Sequence, residues 1–394
     1  MPSLPAGLDG TCDERFLPVA NVVARQIDQG AHHGCAVAIR HRGKPVADFW
    51  GGRRGTIGDP AADRAWTSDT MALSYSTTKG VAATALHMVL ERTGVALDTP
   101  VGEIWPEYTK DRSAAKATTT IRHVLCHEAG VPQIHGEIPD VTSMADWSEM
   151  VALMERLEPL WEPGTQNGYH AVNFGWLVGE LVRRIDGRTI DAFIAEEIAG
   201  PLACDGLFVG TPASEHHRVA PVIQPPGDPS AMEALLPPDH LLRRALAPEG
   251  DMFSFVNSPE GLQTVAPAWS GVFTARSLAT MYGALANGGE IDGTRLLLPE
   301  SVATAATVQN RRPDLVLFVP IHWRLGFMGG GSMLSPTGPN PESFGHAGLG
   351  GSVAFADPKA ELSFAIVLDR LELDLLAGER VRAAVHAAVA AATS

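Results

Sequence analysis

Ser76 and Lys79 stand three residues apart in Ala72-Leu73-Ser74-Tyr75-Ser76-Thr77-Thr78-Lys79-Gly80, at the head of an apolar stretch with helical spacing. Three residues are nearly one helical turn, so the hydroxyl and the amine share a face. Serine is a weak nucleophile until a neighbour takes its proton, and an amine that burial and a helix dipole have made partly neutral can be that neighbour. The chemistry this pair could do is acyl transfer through a serine ester, and it requires Lys79 to be buried. The competing reading is an N-cap serine with a lysine that snorkels to solvent.

The chain contains only five lysines: Lys44, Lys79, Lys110, Lys116 and Lys359. Lys79 alone leads into a core-like run, Val81 to Leu90, ending near Gly94. A second Ser-x-x-Lys, Ser113 to Lys116, sits between charged and small polar residues and reads as solvated surface. Further along, Trp161-Glu162-Pro163-Gly164 turns the chain toward Tyr169, one of four tyrosines, at the expected start of a helix. A phenol there could pass protons, or could be a half-buried tyrosine at a loop–helix junction. Near the other end, Phe344-Gly345-His346-Ala347-Gly348-Leu349-Gly350-Gly351-Ser352 enters a strand through small residues. Its backbone could lie against a substrate and offer an amide to an oxyanion, or could form a plain turn or bulge.

These three places, in this order and approximate spacing, resemble the serine β-lactamase and penicillin-binding-protein superfamily, and within it the class C-like branch with the family VIII carboxylesterases. Thr120 to Val131 and Phe174 to Leu181 extend the resemblance over most of the chain. The resemblance implies Ser76 as the acylated nucleophile, Lys79 and Tyr169 as its proton-transfer partners, and the amides of Ser76 and Leu349 as an oxyanion hole. It places His346, Ala347 and Gly348 along the substrate. Which of Lys79 and Tyr169 is the first base stays open, because their titrations would be coupled.

Two departures bear on the substrate. Where β-lactamases commonly carry Tyr-x-Asn, this chain has Tyr169-His170-Ala171, with Asn173 two residues later. Where they carry Lys-Thr-Gly, it has His346-Ala347-Gly348, which exchanges a permanent cation for a group near neutrality at pH 7. A carboxylated substrate loses its anchor. The expectation is hydrolysis of uncharged, short-chain carboxylic esters. The alternatives are a β-lactamase or D-alanyl-D-alanine peptidase, then an acyltransferase, then a scaffold without activity.

The elements that must position these residues can be read in outline. Phe16 to Ile27 has helical spacing, Gly34–Ile39 and Pro45–Trp50 flank a turn, and Gly351–Ala356 and Leu362–Leu368 form a second hairpin before an alanine-rich helix. Helical patterns cover Ile121–His127, Ala171–Ile185, Ile190–Ile198 and Ala275–Ala286. The expected fold is α/β and β-lactamase-like: an antiparallel sheet flanked by helices, with an inserted, mostly helical domain. Residues 1–70 and 290–394 would form the discontinuous α/β domain and 71–289 the helical one, including a proline-rich loop at 221–250.

With 394 residues and a formal net charge of −15, the chain suits a globular enzyme and not a binder of nucleic acid or anionic membrane. The first ten residues lack a basic start and an apolar run, which points to the cytoplasm. Cys12, Cys35, Cys126 and Cys204 are too scattered for a disulfide framework and read as free buried thiols. No cofactor or metal is expected. His123 and His127 have i, i+4 spacing but no acid in the metalloprotease position, and so read as packing. His32-His33 and His216-His217 read as exposed pairs. The Gly348-Leu349-Gly350 run precedes a strand pattern, not the helix of a dinucleotide loop, and Gly-x-Ser-x-Gly does not occur.

Overall fold

The computed structural model describes residues 2–224, 236–237, 239–246, 249–332, 335–372 and 378–394. Its main sheet contains β1 (Leu8–Cys12), β2 (Gly34–His41), β3 (Lys44–Thr56), β4 (Asp59–Ala65), β5 (Met328–Gly329), β6 (Phe344–Ala347), β7 (Val353–Asp357) and β8 (Leu362–Leu368). The order is β1-β3-β2-β8-β7-β6-β5, with β4 also on β3, and these pairings are antiparallel. The two expected hairpins, β2–β3 and β7–β8, thus become neighbours. The β2–β8 pairing, from Cys35–Leu368 to His41–Leu362, joins the two ends of the chain in one sheet.

The principal helices are α1 (Leu17–Asp28), α2 (Thr78–Thr93), α3 (Phe174–Asp186), α4 (Ala275–Ala286) and α5 (Gly378–Thr393). Every residue of β7 and β8 is buried, so the strand alternation separates large side chains from small ones instead of apolar from polar. Phe355, Phe364, Ile366 and Leu368 face the layer of α1 and α5, while Ala354, Ala356 and Ala365 face the opposite side. There α4 packs on β2, β7 and β8. Small residues let that helix approach closely, and each large one on the far face is worth about 1.5–3 kcal/mol of burial. Although α4 falls in the stretch read as the helical middle, it covers the sheet.

Beyond α4 lies α2, buried continuously from Thr78 to Leu90. A helix buried all round belongs between layers, and this one ends at Gly94, whose φ of +72° is the left-handed cap that glycine adopts freely. It packs along α3. The middle of the chain also holds a four-stranded sheet in the order Leu207–Val209, Gly271–Phe273, Met71–Leu73, Val219–Ala220. Strands of two or three residues are too short to establish a period-two pattern, so this sheet was not legible in the sequence. Much of the proline-rich stretch, residues 225–235, 238 and 247–248, lies outside the described residues.

The four cysteines are free thiols; Cys12, Cys35 and Cys126 are buried and Cys204 half-buried. His32 is buried, contrary to its reading as exposed, because its Nε2 lies 3.2 Å from Gln26 Oε1 at the end of α1. No helix among the described residues is long and apolar enough to cross a membrane.

Candidate active site

The strand Met71–Leu73 delivers the chain into a tight turn. Ser74 N donates to Gly271 O, Tyr75 takes a φ of +44°, and Tyr75–Thr77 forms one 3-10 turn before α2 begins at Thr78. A left-handed bulky residue is costly and must be held by its surroundings. Here the hold comes from Thr78 Oγ1, which donates to Tyr75 O (2.6 Å) and accepts from Gly271 N (2.9 Å). From Thr70 to Leu90, Ser76 is the one residue that is not buried. A single half-buried serine therefore interrupts an otherwise buried stretch.

Lys79 is fully buried. Its Nζ lies 3.0 Å from Ser76 Oγ, 2.6 Å from Ala171 O and 3.0 Å from Ala268 O, with the rings of Tyr169 and Phe174 at 4.8 and 5.9 Å. All three polar partners are neutral oxygens, and burial holds the amine well below the usual lysine range. A neutral amine has two N–H bonds and one lone pair. Spending the two donors on Ala171 O and Ala268 O leaves the lone pair for the Ser76 hydroxyl, the arrangement a general base requires. Gly175 makes room for this: a Cβ there would stand 2.5 Å from Ala268 N, so only glycine lets that segment reach α3 and Lys79.

Tyr169 lies in irregular chain, five residues before α3 begins at Phe174, and not at a helix start as the pattern suggested. Its ring stacks on Trp323 at 5.7 Å and on His346 at 6.1 Å and meets His127 edge-on at 5.0 Å. Its backbone N–H donates to Asp314 Oδ1 (3.0 Å), and its hydroxyl lies close to the Ser76 side chain. Burial raises the phenol above its ordinary range, the neighbouring Ser76 side chain opposes this, and the nearby Asp314 charge adds to it. Tyr169 therefore rests as a neutral phenol.

Asp314 was not singled out by the sequence, yet it organises this side of the site. It accepts from the amides of Tyr169, Val316 and Leu317, from Asn167 Nδ2 and from Trp323 Nε1. Five donors replace the water that a buried carboxylate has lost, and they fix both Tyr169 and the indole on which it stacks. His170 is a brace: its Nδ1 donates to Gly168 O at 2.7 Å and its Nε2 accepts from Val131 N at 2.9 Å. His127 Nδ1 accepts from His170 N, and the described residues contain no group of three His, Cys, Asp or Glu that could hold a metal. Asn173 Nδ2 donates to Val131 O and Gln133 O.

His346 is fully buried, its Nδ1 2.8 Å from Ala347 O, and burial takes the imidazole down to about 3. It is neutral across the physiological range. Gly348 follows at the end of β6, where a Cβ would stand 2.1 Å from Ser74 O, so the strand runs directly against the nucleophile turn. Ser352 Oγ donates to Ser74 O (2.7 Å), Thr77 Oγ1 donates to Ser352 O (3.1 Å), and Gly348 N donates to Ser352 O (2.7 Å). Leu349, half-buried, is one residue past this contact. Ser76, Lys79, Tyr169, His346, Ala347, Gly348 and Leu349 are thus brought to one place.

The second Ser-x-x-Lys is not solvated surface. Lys116 is fully buried, and its Nζ donates to Met154 O (2.8 Å), Glu155 O (2.6 Å) and Leu157 O (2.5 Å) at the end of helix Trp147–Arg156, with the Tyr108 ring at 4.3 Å. Ser113 Oγ meanwhile accepts from Lys116 N as an N-cap. The polar neighbours in sequence concealed an amine that stems inward to complete another helix.

The chain matches the model of the beta-lactamase family over residues 19–388. It is 36% identical over 383 residues to the esterase/beta-lactamase LipL of Mycobacterium tuberculosis, covering 92% of this chain and 83% of that protein. Among solved structures, a family VIII carboxylesterase superposes with a TM-score of 0.87 at 31% identity, over 98% of this chain and 99% of the other. A penicillin-binding protein homologue from Caulobacter crescentus gives 0.85 at 32% identity, over 98% and 99%. With its site geometry and these likenesses spanning nearly its whole length, the chain belongs to the beta-lactamase family.

Proposed function

We propose that this protein is a serine carboxylesterase acting on uncharged, short-chain esters. The observation that carries the reading is Lys79 Nζ, buried among neutral oxygens and 3.0 Å from the hydroxyl of Ser76, the one residue from Thr70 to Leu90 that is not buried. In the proposed reaction Ser76 Oγ attacks the ester carbonyl carbon and its proton passes to Lys79. The carbonyl oxygen takes up the negative charge between the amides of Ser76 and Leu349. Collapse breaks the bond to the alcohol oxygen, which receives a proton from Tyr169. Lys79 returns a proton to Tyr169, so the alcohol leaves neutral and both groups are restored. Water then attacks the acyl-serine, and the released acid leaves Ser76 protonated again.

The preference for uncharged esters rests on His346. A lysine at this position could hold a substrate carboxylate; a buried neutral imidazole supplies no such charge. The name of the Mycobacterium relative, esterase/beta-lactamase, keeps slow β-lactam turnover as the second reading. Turnover of p-nitrophenyl acetate, p-nitrophenyl butyrate and a chromogenic cephalosporin by wild type and Ser76→Ala tests the proposal. Ester kcat/KM should exceed that for the cephalosporin by about tenfold or more and fall by about a thousandfold or more in the variant. Dominant cephalosporin turnover would replace the esterase reading with the β-lactamase one.

A further inference from the structure

Arg380 is buried in the first turn of α5, the positive end of that helix, where a cation is disfavoured. The helix itself therefore gives no reason for it. Its Nη1 donates to Ala31 O, and its Nη2 donates to Gly350 O (2.5 Å) and Arg370 O (2.7 Å); Nε pairs with Glu372 at 3.2 Å. These acceptors come from separate parts of the chain: the approach to β2, the turn after β6, and the segment just after β8. Only the turn after β6 touches the site. It contains Leu349 between Gly348, which abuts Ser74, and two glycines at φ +84° and +112°.

Two glycines in the left-handed region make that turn intrinsically permissive. It is held on one side by the contact with the nucleophile turn and on the other by Leu371, whose Cδ2 would stand 2.2 Å from a Cβ on Gly350. Among the described residues, the guanidinium bond to Gly350 O is the one charge-assisted hydrogen bond to this turn. We infer that Arg380 is a positioning residue for oxyanion stabilisation: by clamping Gly350 it fixes the direction of the Leu349 amide at Ser76. The inference rests on the proposed acyl-serine reaction but not on the identity of the acyl substrate.

The test compares wild type, Arg380→Met and Arg380→Lys in steady-state hydrolysis of p-nitrophenyl acetate and in inhibition by phenylboronic acid, which forms a tetrahedral adduct on an active serine. In the methionine variant kcat and boronate affinity should fall together by about tenfold or more, with KM changed by less than about threefold. The lysine variant, keeping a cation but not the planar fork, should fall between. Boronate affinity is read on folded protein, so a structural loss that only lowers the folded fraction leaves it unmoved. Wild-type kcat and boronate affinity in either folded variant, or activity lost only in proportion to the folded fraction, would overturn the inference. If the methionine variant does not fold, the lysine variant decides on the same readouts. Absent ester turnover with Arg380-dependent boronate binding would instead defeat the esterase reading while retaining this one.

Discussion

Lys79 is held by two backbone carbonyls, an arrangement that makes its neutral form useful and sets the pH behaviour of the site. Burial lowers its pKa, so the free base gains population as pH rises through that lowered value, well before the ordinary lysine range. Activity should therefore rise with pH along a single limb and then level. His170 and His346 stay neutral, each brought to about 3 by burial, and burial also lowers His127, so none adds a limb near pH 6.5. The check is kcat/KM for an uncharged ester between pH 5 and 9; a falling limb with an imidazole-like midpoint would contradict this assignment of protonation states. Ser76, Lys79 and Tyr169 were legible because their types and order are distinctive. Ala171 O and Ala268 O were not, since a backbone acceptor leaves no mark on residue identity. Asp314 was hidden as well, because its donors come from distant segments that only folding brings together.

At the scale of elements, the period of apolar residues gave the long helices and both hairpins. The expected helix Ala275–Ala286 has those bounds in the structure. Less was legible where elements are short or a polar residue turns inward. The expected helix through His127 ends at Leu125, and the continuation runs through a left-handed His127 that reaches the Tyr169 ring. Lys116 completes the end of helix Trp147–Arg156 by supplying three donors to carbonyls that the helix leaves unpaired. Lys116→Met should therefore cost about 2 kcal/mol or more, as those carbonyls lose their partner, while ester kcat/KM per folded molecule stays near wild type. Denaturant unfolding monitored with activity measures both; unchanged stability would show that the lysine contributes nothing net.

Across the whole molecule, the nucleophile turn is a junction. The small sheet carries Met71–Leu73 into it, α2 leads away from it, and the turn between β6 and β7 runs against it through Gly348 and Ser352. The β2–β8 pairing that supports β6 joins positions more than three hundred residues apart. The strand patterns at both ends of the sequence suggested one discontinuous α/β domain, but local pattern carries no register, which the structure supplies. The central claim is that this assembly serves one covalent step on Ser76. Rapid acid quenching of the protein with p-nitrophenyl butyrate, followed by intact-mass and peptide analysis, tests it most directly. The account predicts one butyryl group on the peptide containing Ser76, absent in Ser76→Ala and much slower to appear in Lys79→Ala. Turnover with the acyl group on another residue, or undiminished acylation of the Ser76→Ala protein, would contradict it.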